Sequence, residues 1–228
     1  MKREGYNFGR ERTLNIDEWS PVTALGKKVK AREITSIEQI FAAGLNIEET
    51  EIVDALISEM KGDVIEINSV QRMTKNNRKQ KFRATAVIGD GRGHVGVGSG
   101  KDVEVKAAMD SAIKDAKRNI MPIVFGCGSW QCGCGTQHSI PFKVQGKCGG
   151  VTVILKPAPR GTGIVASKPV SKMLQFAGVK DIWSFSRGRT RSRYNTLIAV
   201  ERALRQIITA KNLSVAVRQK PSPTATNI

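Results

Sequence analysis

The sequence predicts an α+β fold built from two small domains that join near residue 126. Between residues 32 and 125, helical patterns enclose three runs whose apolar residues alternate as in strands. Strand and helix patterns alternate again between residues 139 and 212. A segment rich in Gly and Cys over residues 126–138 separates the two, and 228 residues suffice for one or two domains with modest cores.

The N-terminal region has little regular pattern before residue 32. Residues 1–31 mix charge, glycine and scattered apolar groups, so we expect an extended basic arm. A short helix is predicted after Ser36, because three apolar residues follow it at the spacing i, i+3, i+4. A second helix is predicted over residues 47–58, with three acids placed favourably near the helix N-terminal dipole.

Three strands and a helix complete the first predicted domain. The strands are expected at about residues 64–73, 81–88 and 94–99, with turns at Asn76-Asn77 and Gly91-Arg92-Gly93. The helix is expected at about 103–119, with Asp102 as its N-cap. By topology, this order is that of a double-stranded-RNA-binding domain, which reads backbone and shape rather than base sequence.

The second predicted domain again mixes strands and helices. Strands are expected over 139–144, 151–155 and 181–186, and a helix over 167–177 that ends at Gly178. Asn195 is expected to cap a last helix. Residues 213–228 read as a flexible tail.

The charge of the chain indicates a polyanionic partner. The formal net charge is +17, yet the segment 32–70 holds nine acids and two bases, a net of −7, so the remainder carries +24. Such an excess indicates nucleic acid first and an anionic membrane second. Neither a signal peptide nor an apolar run of membrane length is visible, so we expect a cytoplasmic protein.

The densest basic segment lies between the first two predicted strands. Six cations occur there in twelve residues without an acid: Arg72, Lys75, Arg78, Lys79, Lys81 and Arg83. A basic loop held by a rigid hairpin is suited to binding RNA phosphates. Two further cations, Arg92 in the next turn and Lys101 beside the predicted helix start, are assigned to the same role.

A second basic segment places arginines at alternate positions in the second domain. They are Arg187, Arg189, Arg191 and Arg193, just before the predicted cap at Asn195. In an extended chain alternate side chains share a face, so we expect a four-cation edge for phosphate beside a helix N-terminus.

The glycine motifs of the first domain do not indicate a nucleotide site. Gly91-Arg92-Gly93-His94-Val95-Gly96 satisfies G-x-G-x-x-G, but a strand follows it where a dinucleotide site needs a helix. We therefore interpret these glycines as turn residues with positive φ. Likewise, the segment ending Gly100-Lys101 lacks the first glycine and the final Ser or Thr of a phosphate-binding loop.

Four metal-ligating residues cluster in the Gly-rich segment. Cys127, Cys132, Cys134 and His138 have the spacing C-x4-C-x-C-x3-H, and three thiolates with one imidazole could close a structural zinc site. The alternative is a set of ordinary thiols in a flexible linker. Cys148 is a weaker candidate ligand. No position would be left open for catalysis.

Two segments resemble the signatures of the universal small-subunit ribosomal protein family called S-five in bacteria. The first covers residues 81–98, and the second covers residues 157–166 and 177–182. Residues 36–40, 51–54 and 146–149 resemble its archaeal–eukaryotic branch, whose eukaryotic members are called S-two.

The resemblance implies a first domain like a double-stranded-RNA-binding domain and a second, βαβ-containing α+β domain of the S-five domain-two type. It implies a non-enzymatic protein that binds small-subunit rRNA near the decoding region and the channel through which mRNA enters. There it would touch neighbouring ribosomal proteins, contribute to subunit assembly and affect translational accuracy. The RNA-contacting hairpin falls on residues 72–83, and a protein-facing surface falls on Arg160, Gly161, Thr162 and Gly163.

Two other functions stay open from the residues themselves. A small-molecule kinase would need a phosphate-binding loop at a helix start in the second domain, and Arg160-Gly161-Thr162-Gly163 is the one candidate for that loop. A free-standing RNA chaperone would bind any duplex with a steep dependence on salt. The reading we favour has no catalytic residue, no small-molecule substrate and no membrane partner.

Overall fold

A computed structural model of the chain describes residues 19–57 and 59–209. The helices are α1 (Ala24–Lys30), α2 (Ile37–Ala42), α3 (Thr50–Leu56), α4 (Val105–Arg118), α5 (Lys168–Ala177) and α6 (Arg193–Thr209). The strands are β1 (Lys61–Thr74), β2 (Asn77–Gly89), β3 (His94–Asp102), β4 (Met121–Pro122), β5 (Val144–Cys148), β6 (Val151–Pro157), β7 (Ile164–Val165) and β8 (Ile182–Gly188). Residues 1–18 of the predicted arm and the predicted tail over 213–228 lie outside the described residues.

The first sheet is antiparallel, with strand order β1-β2-β3-β4. Its first two strands are longer than predicted, because Thr74 pairs with Asn77 across a two-residue turn. Asn77 has φ 123°, a backbone conformation that Asn tolerates better than most residues. The predicted basic loop is therefore wrong as a loop: apart from Lys75 in the turn, its cations lie on paired strands.

Helix α4 packs against this sheet through a contact between two backbones. The glycines Gly96, Gly98 and Gly100 alternate along β3 and face the α4 backbone. A Cβ at Gly98 would lie 2.1 Å from the nitrogen of Ala116, so only glycine permits this approach. The turn glycines Gly91 and Gly93 have φ of 70° and 127°, which confirms that they are turn residues.

The helices α1, α2 and α3 surround a separate apolar cluster. Val29, Ile40, Ile52 and Val53 are buried there, together with Ile120 after α4. The expectation that residues 1–31 form an extended arm without regular structure is therefore wrong for its last part. The short helix α1 begins with Thr23 Oγ1 accepting a hydrogen bond from the nitrogen of Gly26, 3.0 Å, and Val29 anchors it in the cluster.

The second sheet has the order β5-β6-β8-β7, with a single parallel pair, β7 and β8. Helices α5 and α6 cover it. Helix α5 ends as predicted at Gly178, whose φ of 87° lets its nitrogen and that of Val179 donate to carbonyls of the last turn. Gly146 on β5 lies against the backbone of α6, where a Cβ would be 1.9 Å from the carbonyl oxygen of Ala199.

The two sheets share one apolar core. We call the second sheet with α5 and α6 the second unit. Val87, Val95 and Val97 on the first sheet belong to the same buried cluster as Leu155 and Leu174 of the second unit. The first sheet is therefore covered on both faces, by α4 on one and by the second unit on the other. The nitrogen of Gly91 also donates to the carbonyl of Phe176, 2.8 Å, which ties the β2–β3 turn to α5.

Three local predictions are wrong: one strand and two helix N-caps. No continuous strand covers 139–144: Ser139 forms an isolated bridge with Gly126, and β5 begins at Val144. Asn195 lies inside α6, which starts two residues earlier. Asp102 ends β3 instead of capping α4, whose N-cap position is occupied by Glu104.

Candidate nucleic-acid interface and metal centre

The strand register sorts the predicted RNA-binding cations of β1 and β2 onto one face. Arg72 lies opposite Lys79, Val70 opposite Lys81, and Asn68 opposite Arg83. Because directly paired residues and every second residue of a strand share a face, Arg72, Lys79, Lys81 and Arg83 point to the same side. We call this side the cationic face.

Lys101 extends the cationic face onto the third strand, because it pairs with Arg83 in the register between β2 and β3. The inner part of the same face carries Val87 and Val97, which pack against the second unit. The cationic face is therefore the outward continuation of a surface whose other end is buried against the second unit. Every residue from 71 to 80 is exposed.

The paired strands β1 and β2 extend from the sheet as a ribbon, and the side of this ribbon opposite the cationic face is less charged. It carries Ile67 and Met73, whose residues are 43% and 69% exposed, and the cation Arg78. At the tip, Thr74 Oγ1 donates to the carbonyl of Asn77, 2.6 Å, and Asn77 Oδ1 accepts from the nitrogen of Arg78, 2.7 Å. These bonds order the turn that carries Lys75.

Arg83 joins the ribbon to the second unit. Its guanidinium carbon lies 4.0 Å from the centre of the Tyr194 ring, a cation–π contact in the first turn of α6. Arg83 is partly buried, unlike Arg72 and Lys79. Tyr194 directly follows Arg193 of the second basic segment, so the two predicted basic segments meet at this contact.

The second basic segment is a turn and does not form the predicted extended row. Arg187 lies at the end of β8, Gly188 has φ 89°, and the nitrogen of Ser192 donates to the carbonyl of Arg189, 3.3 Å. The alternation of faces is lost at this turn, so the four arginines do not share one strand face. All four are nevertheless exposed: Arg187, Arg189, Arg191 and Arg193.

Arg92 lies away from both basic segments, in the β2–β3 turn. It is largely exposed and pairs with Glu59 at 3.5 Å. An exposed pair of this kind contributes little to stability, so the pair would not hold Arg92 away from a phosphate.

The four predicted metal ligands converge in space. The ligand atoms of Cys127, Cys132, Cys134 and His138 all lie within 4.8 Å of one another. The Sγ atoms of Cys127 and Cys134 are 3.6 Å apart, and Cys132 Sγ is 3.7 Å from His138 Nε2. A tetrahedron with Zn–S bonds of about 2.3 Å has edges of about 3.8 Å, so these separations fit a bound ion. Cys148 lies on β5 and is not part of the cluster.

The thiols of the cluster differ in their acid–base character. Hydrogen bonds, first of all from the Thr136 hydroxyl at 3.2 Å, lower the pKa of Cys134 to about 5. Burial and the neighbouring thiols raise the pKa of Cys127 to about 11. Cys134 is thus a thiolate at neutral pH, the form in which a cysteine binds a metal.

The predicted protein-facing residues form a loop after β6 that Asp181 holds in place. Its Oδ1 accepts from the nitrogens of Gly161 and Gly163, at 3.1 and 2.8 Å. Asp181 is buried, and its Oδ2 lies 2.8 Å from His138 Nδ1 in the metal cluster. Sequence reasoning missed the role of Asp181, because its partners lie far from it along the chain.

The geometry weakens the alternative of a small-molecule kinase. The glycines at 161 and 163 precede the short strand β7, whereas α5 begins at Lys168. A phosphate-binding loop requires such glycines at a helix N-terminus. A cavity of about 260 Å³ lies between the two units, lined by residues that include Asp115, Tyr194 and Glu201. The lining also includes Arg202 and Arg205, so two cations balance its two acids, and Arg205 pairs with Glu201 at 2.7 Å.

Among the helices of the described residues, none combines the length and the apolar character needed to cross a bilayer.

Comparison with known proteins gives a consistent result. Residues 60–124 match the family model described as ribosomal protein S5, N-terminal domain, and residues 146–218 match ribosomal protein S5, C-terminal domain. The chain is 48% identical over 194 residues to the small ribosomal subunit protein uS5 of Methanocaldococcus jannaschii, which covers 85% of this chain and 89% of the relative. The uS5 proteins of Methanococcoides burtonii and Metallosphaera sedula are 50% and 45% identical over 188 and 190 residues. These matches cover 82% and 83% of this chain, and 89% of each relative.

Proposed function

The chain belongs to the ribosomal protein S5 family, and on this premise we propose that it is a structural constituent of the small ribosomal subunit that binds small-subunit rRNA. Family membership confirms three sequence-based predictions: the family itself, the two-domain α+β fold and a non-enzymatic role. It also supports the cytoplasmic location. The boundaries expected for the linker and the tail stay predictions.

The observation that carries the proposal is the cationic face. Its outer residues Arg72, Lys79 and Lys81 are supported by paired strands, so their charges are held in a fixed pattern against the sheet. Opposed or alternate residues on one face lie about 5 to 7 Å apart. Such a pattern binds a phosphate backbone without reading bases, as expected of a protein that recognises RNA shape.

The two basic segments form one track in this proposal. The sequence places these two segments in different predicted domains. The contact between Arg83 and Tyr194 instead brings the end of the ribbon beside the start of α6, where the exposed arginines 187–193 lie. One rRNA segment could therefore run from the ribbon to the β8–α6 turn. Lys101 extends the track on the third strand, Lys75 and Arg78 are proposed as flanking contacts, and Arg92 is proposed as a separate phosphate contact at the β2–β3 turn.

The finer placement follows from the family resemblance. We propose that the protein lies near the decoding region and the channel through which mRNA enters, and contributes to subunit assembly and translational accuracy. The exposed residues Arg160 and Gly161 would face a neighbouring ribosomal protein. Exposed cations near the channel would hold mRNA by phosphate contacts alone, which do not depend on sequence.

Sedimentation tests the function directly. In a sucrose gradient of a cell extract at moderate salt, we expect the full chain to migrate with small subunits and to shift to the top after ribonuclease digestion. Migration as a free protein at that salt would refute the proposal. Equal binding of the purified chain to any RNA duplex would favour the RNA chaperone instead.

We also propose that Cys127, Cys132, Cys134 and His138 hold one structural zinc ion. Three thiolates and one imidazole are a common ligand set for structural zinc, and the observed separations fit a tetrahedral ion. The ion would order the segment that links the two sheets, which has little apolar packing of its own. Four protein ligands complete the coordination, so the site would be structural.

Elemental analysis tests this site. The full chain, purified without chelator under reducing conditions, should contain one zinc per molecule, and Cys134→Ser should reduce this content. Cys148→Ser is the matched control, because Cys148 lies outside the cluster, and it should leave the content unchanged. Wild-type protein that holds no zinc after exposure to one equivalent would contradict the assignment.

A further inference from the structure

We propose that a metal ion in the cysteine cluster fixes the conformation of the exposed 160–163 loop, and that Asp181 transmits this effect as a positioning residue. The inference rests on the zinc site proposed above. It connects that site to a surface assigned to protein contacts, two features that the sequence places far apart.

The side chain of Asp181 contacts both features. One carboxylate oxygen accepts hydrogen bonds from the nitrogens of Gly161 and Gly163. The other oxygen lies 2.8 Å from His138 Nδ1. Both His138 and Asp181 are buried, with 5% of each residue exposed, so water does not compete strongly for these bonds.

Backbone hydrogen bonds also connect the residues around this pair. The carbonyl of His138 accepts from the nitrogens of Lys180 and Asp181, at 3.0 and 3.1 Å. The nitrogen of Ile182 donates to the carbonyl of Gly163, 3.1 Å. A movement of His138 would therefore move the start of β8 and, through it, the far end of the loop.

The chemistry of histidine explains the role of the carboxylate. A carboxylate beside Nδ1 favours the proton on that nitrogen and leaves the lone pair on Nε2. Nδ1 is buried, lies 2.8 Å from Asp181 Oδ2 and has no hydrogen bond of good geometry, so a small rotation of the ring would let Nδ1–H donate to Asp181. His138 Nε2 is the ring nitrogen that faces Cys132 Sγ. The pair thus prepares the imidazole as a metal ligand, in the arrangement common around protein metal sites.

The loop itself depends on the same carboxylate. Gly161 and Gly163 have φ of 90° and 72°, so the loop contains two residues in the left-handed region. Thr162 closes a turn with its nitrogen and its hydroxyl on the carbonyl of Pro159, at 3.3 and 2.9 Å. Beyond this turn, the loop is held against the fold by the two glycine N–H groups bound to Asp181 and by the bond from the Ile182 nitrogen to the Gly163 carbonyl. By thermodynamic linkage, a metal that orders Asp181 also orders the loop, and a partner that binds the ordered loop raises the affinity of the site for the metal.

The chain contains a matched control. Asp90 has a similar arrangement around the other histidine: its Oδ1 accepts from the nitrogens of Arg92 and His94, and its Oδ2 is hydrogen-bonded to His94 Nδ1 at 2.6 Å. No cysteine of the metal cluster contacts this pair. Asp181→Asn and Asp90→Asn therefore make the same chemical change at one site with the cluster and at one site without it.

Asn at 181 can still accept the two glycine hydrogen bonds with its Oδ1. Its amide group would donate to His138 Nδ1 and move the ring proton to Nε2, the wrong tautomer for a ligand. We expect Asp181→Asn to weaken zinc binding about 10- to 100-fold and Asp90→Asn to leave it unchanged. Nitrogen-15 NMR of the two histidines of the chain would detect the change of tautomer at His138 in the metal-free variant.

The decisive experiment is hydrogen exchange of the Gly161 and Gly163 amides in the full chain, with one equivalent of zinc and after its removal. We expect zinc to slow this exchange at least about 10-fold in the wild type, while the Gly178 amide, which caps α5, does not change. The zinc effect should disappear in Asp181→Asn and persist in Asp90→Asn. Equal exchange with and without bound zinc would overturn the inference but leave the zinc site standing. Absence of bound zinc would overturn both, and sedimentation would still test the ribosomal function separately.

Discussion

Removing three charges from the cationic face should change the salt dependence of RNA binding by a predictable amount. The substitutions are Arg72→Gln, Lys79→Gln and Lys81→Gln, all on one face of the β1–β2 ribbon. Each protein–phosphate contact contributes about 0.7 to 0.9 to the slope of log K against log salt. If each of these cations meets one phosphate, the triple variant should have a slope about 2 to 3 units shallower. The substitutions lie on exposed or partly exposed strand positions, so the fold should persist.

The assay is filter binding of the purified full chain to small-subunit rRNA over a series of KCl concentrations. The control is the triple variant Lys27→Gln, Lys28→Gln and Lys61→Gln, which removes the same formal charge from exposed positions on α1 and at the start of β1. Circular dichroism checks that both variants are folded. Equal changes of slope in the two variants would show that net charge alone matters and would refute the assignment of the cationic face.

Three further changes test the packing of the fold. Gly98→Ala places a Cβ against the α4 backbone and should lower the free energy of unfolding by about 1 to 3 kcal/mol. The control Gly133→Ala has open space around it and should change the free energy of unfolding little. Urea denaturation measures both variants. Tyr194→Leu removes the ring beneath Arg83 and should cost about 1 kcal/mol in the same assay, and an unchanged stability would contradict that contact. Burial raises the pKa of Glu201 above its ordinary value of 4.5, so the native state binds this proton more tightly than the unfolded state does. Proton binding therefore stabilises the native state fully below pH 4.5, and this stabilisation is lost as the pH rises through the higher native pKa. Glu201→Gln should therefore make the free energy of unfolding fall less steeply from acidic to neutral pH, and an identical slope would contradict the assigned shift.

Local signals in the sequence predict much of the fold. The α5 helix with its stop at Gly178 and the turn glycines at 91 and 93 follow from backbone preferences that act over a few residues. The helix α1 was missed, because its stability depends on Val29 packing into a cluster formed by distant helices. The apolar alternation over 139–144 wrongly predicts a continuous strand, because strand pairing there is limited to the bridge at Ser139 and the start of β5 at Val144.

The sequence likewise predicts only part of the candidate site. The residue types and spacing of the metal cluster were sufficient to predict its four members, and the structure brings them together. The face on which each ribbon cation lies could not be predicted, because polar residues occupy both faces and the register depends on the turn at Thr74 and Asn77. The contacts of Asp181 and of Arg83 join residues distant in the chain, and no local pattern indicates them.

Lysine protection in the assembled particle tests the central claim most directly. Native small subunits that contain the full chain are treated with an acetylating reagent, and the modification of each lysine is compared with that of the free protein by mass spectrometry. We predict that Lys75, Lys79 and Lys81 are protected in the particle and become reactive after ribonuclease digestion, while Lys27 and Lys28 do not gain reactivity on digestion. Full reactivity of all three ribbon lysines in the intact particle would contradict the claim that this ribbon binds rRNA.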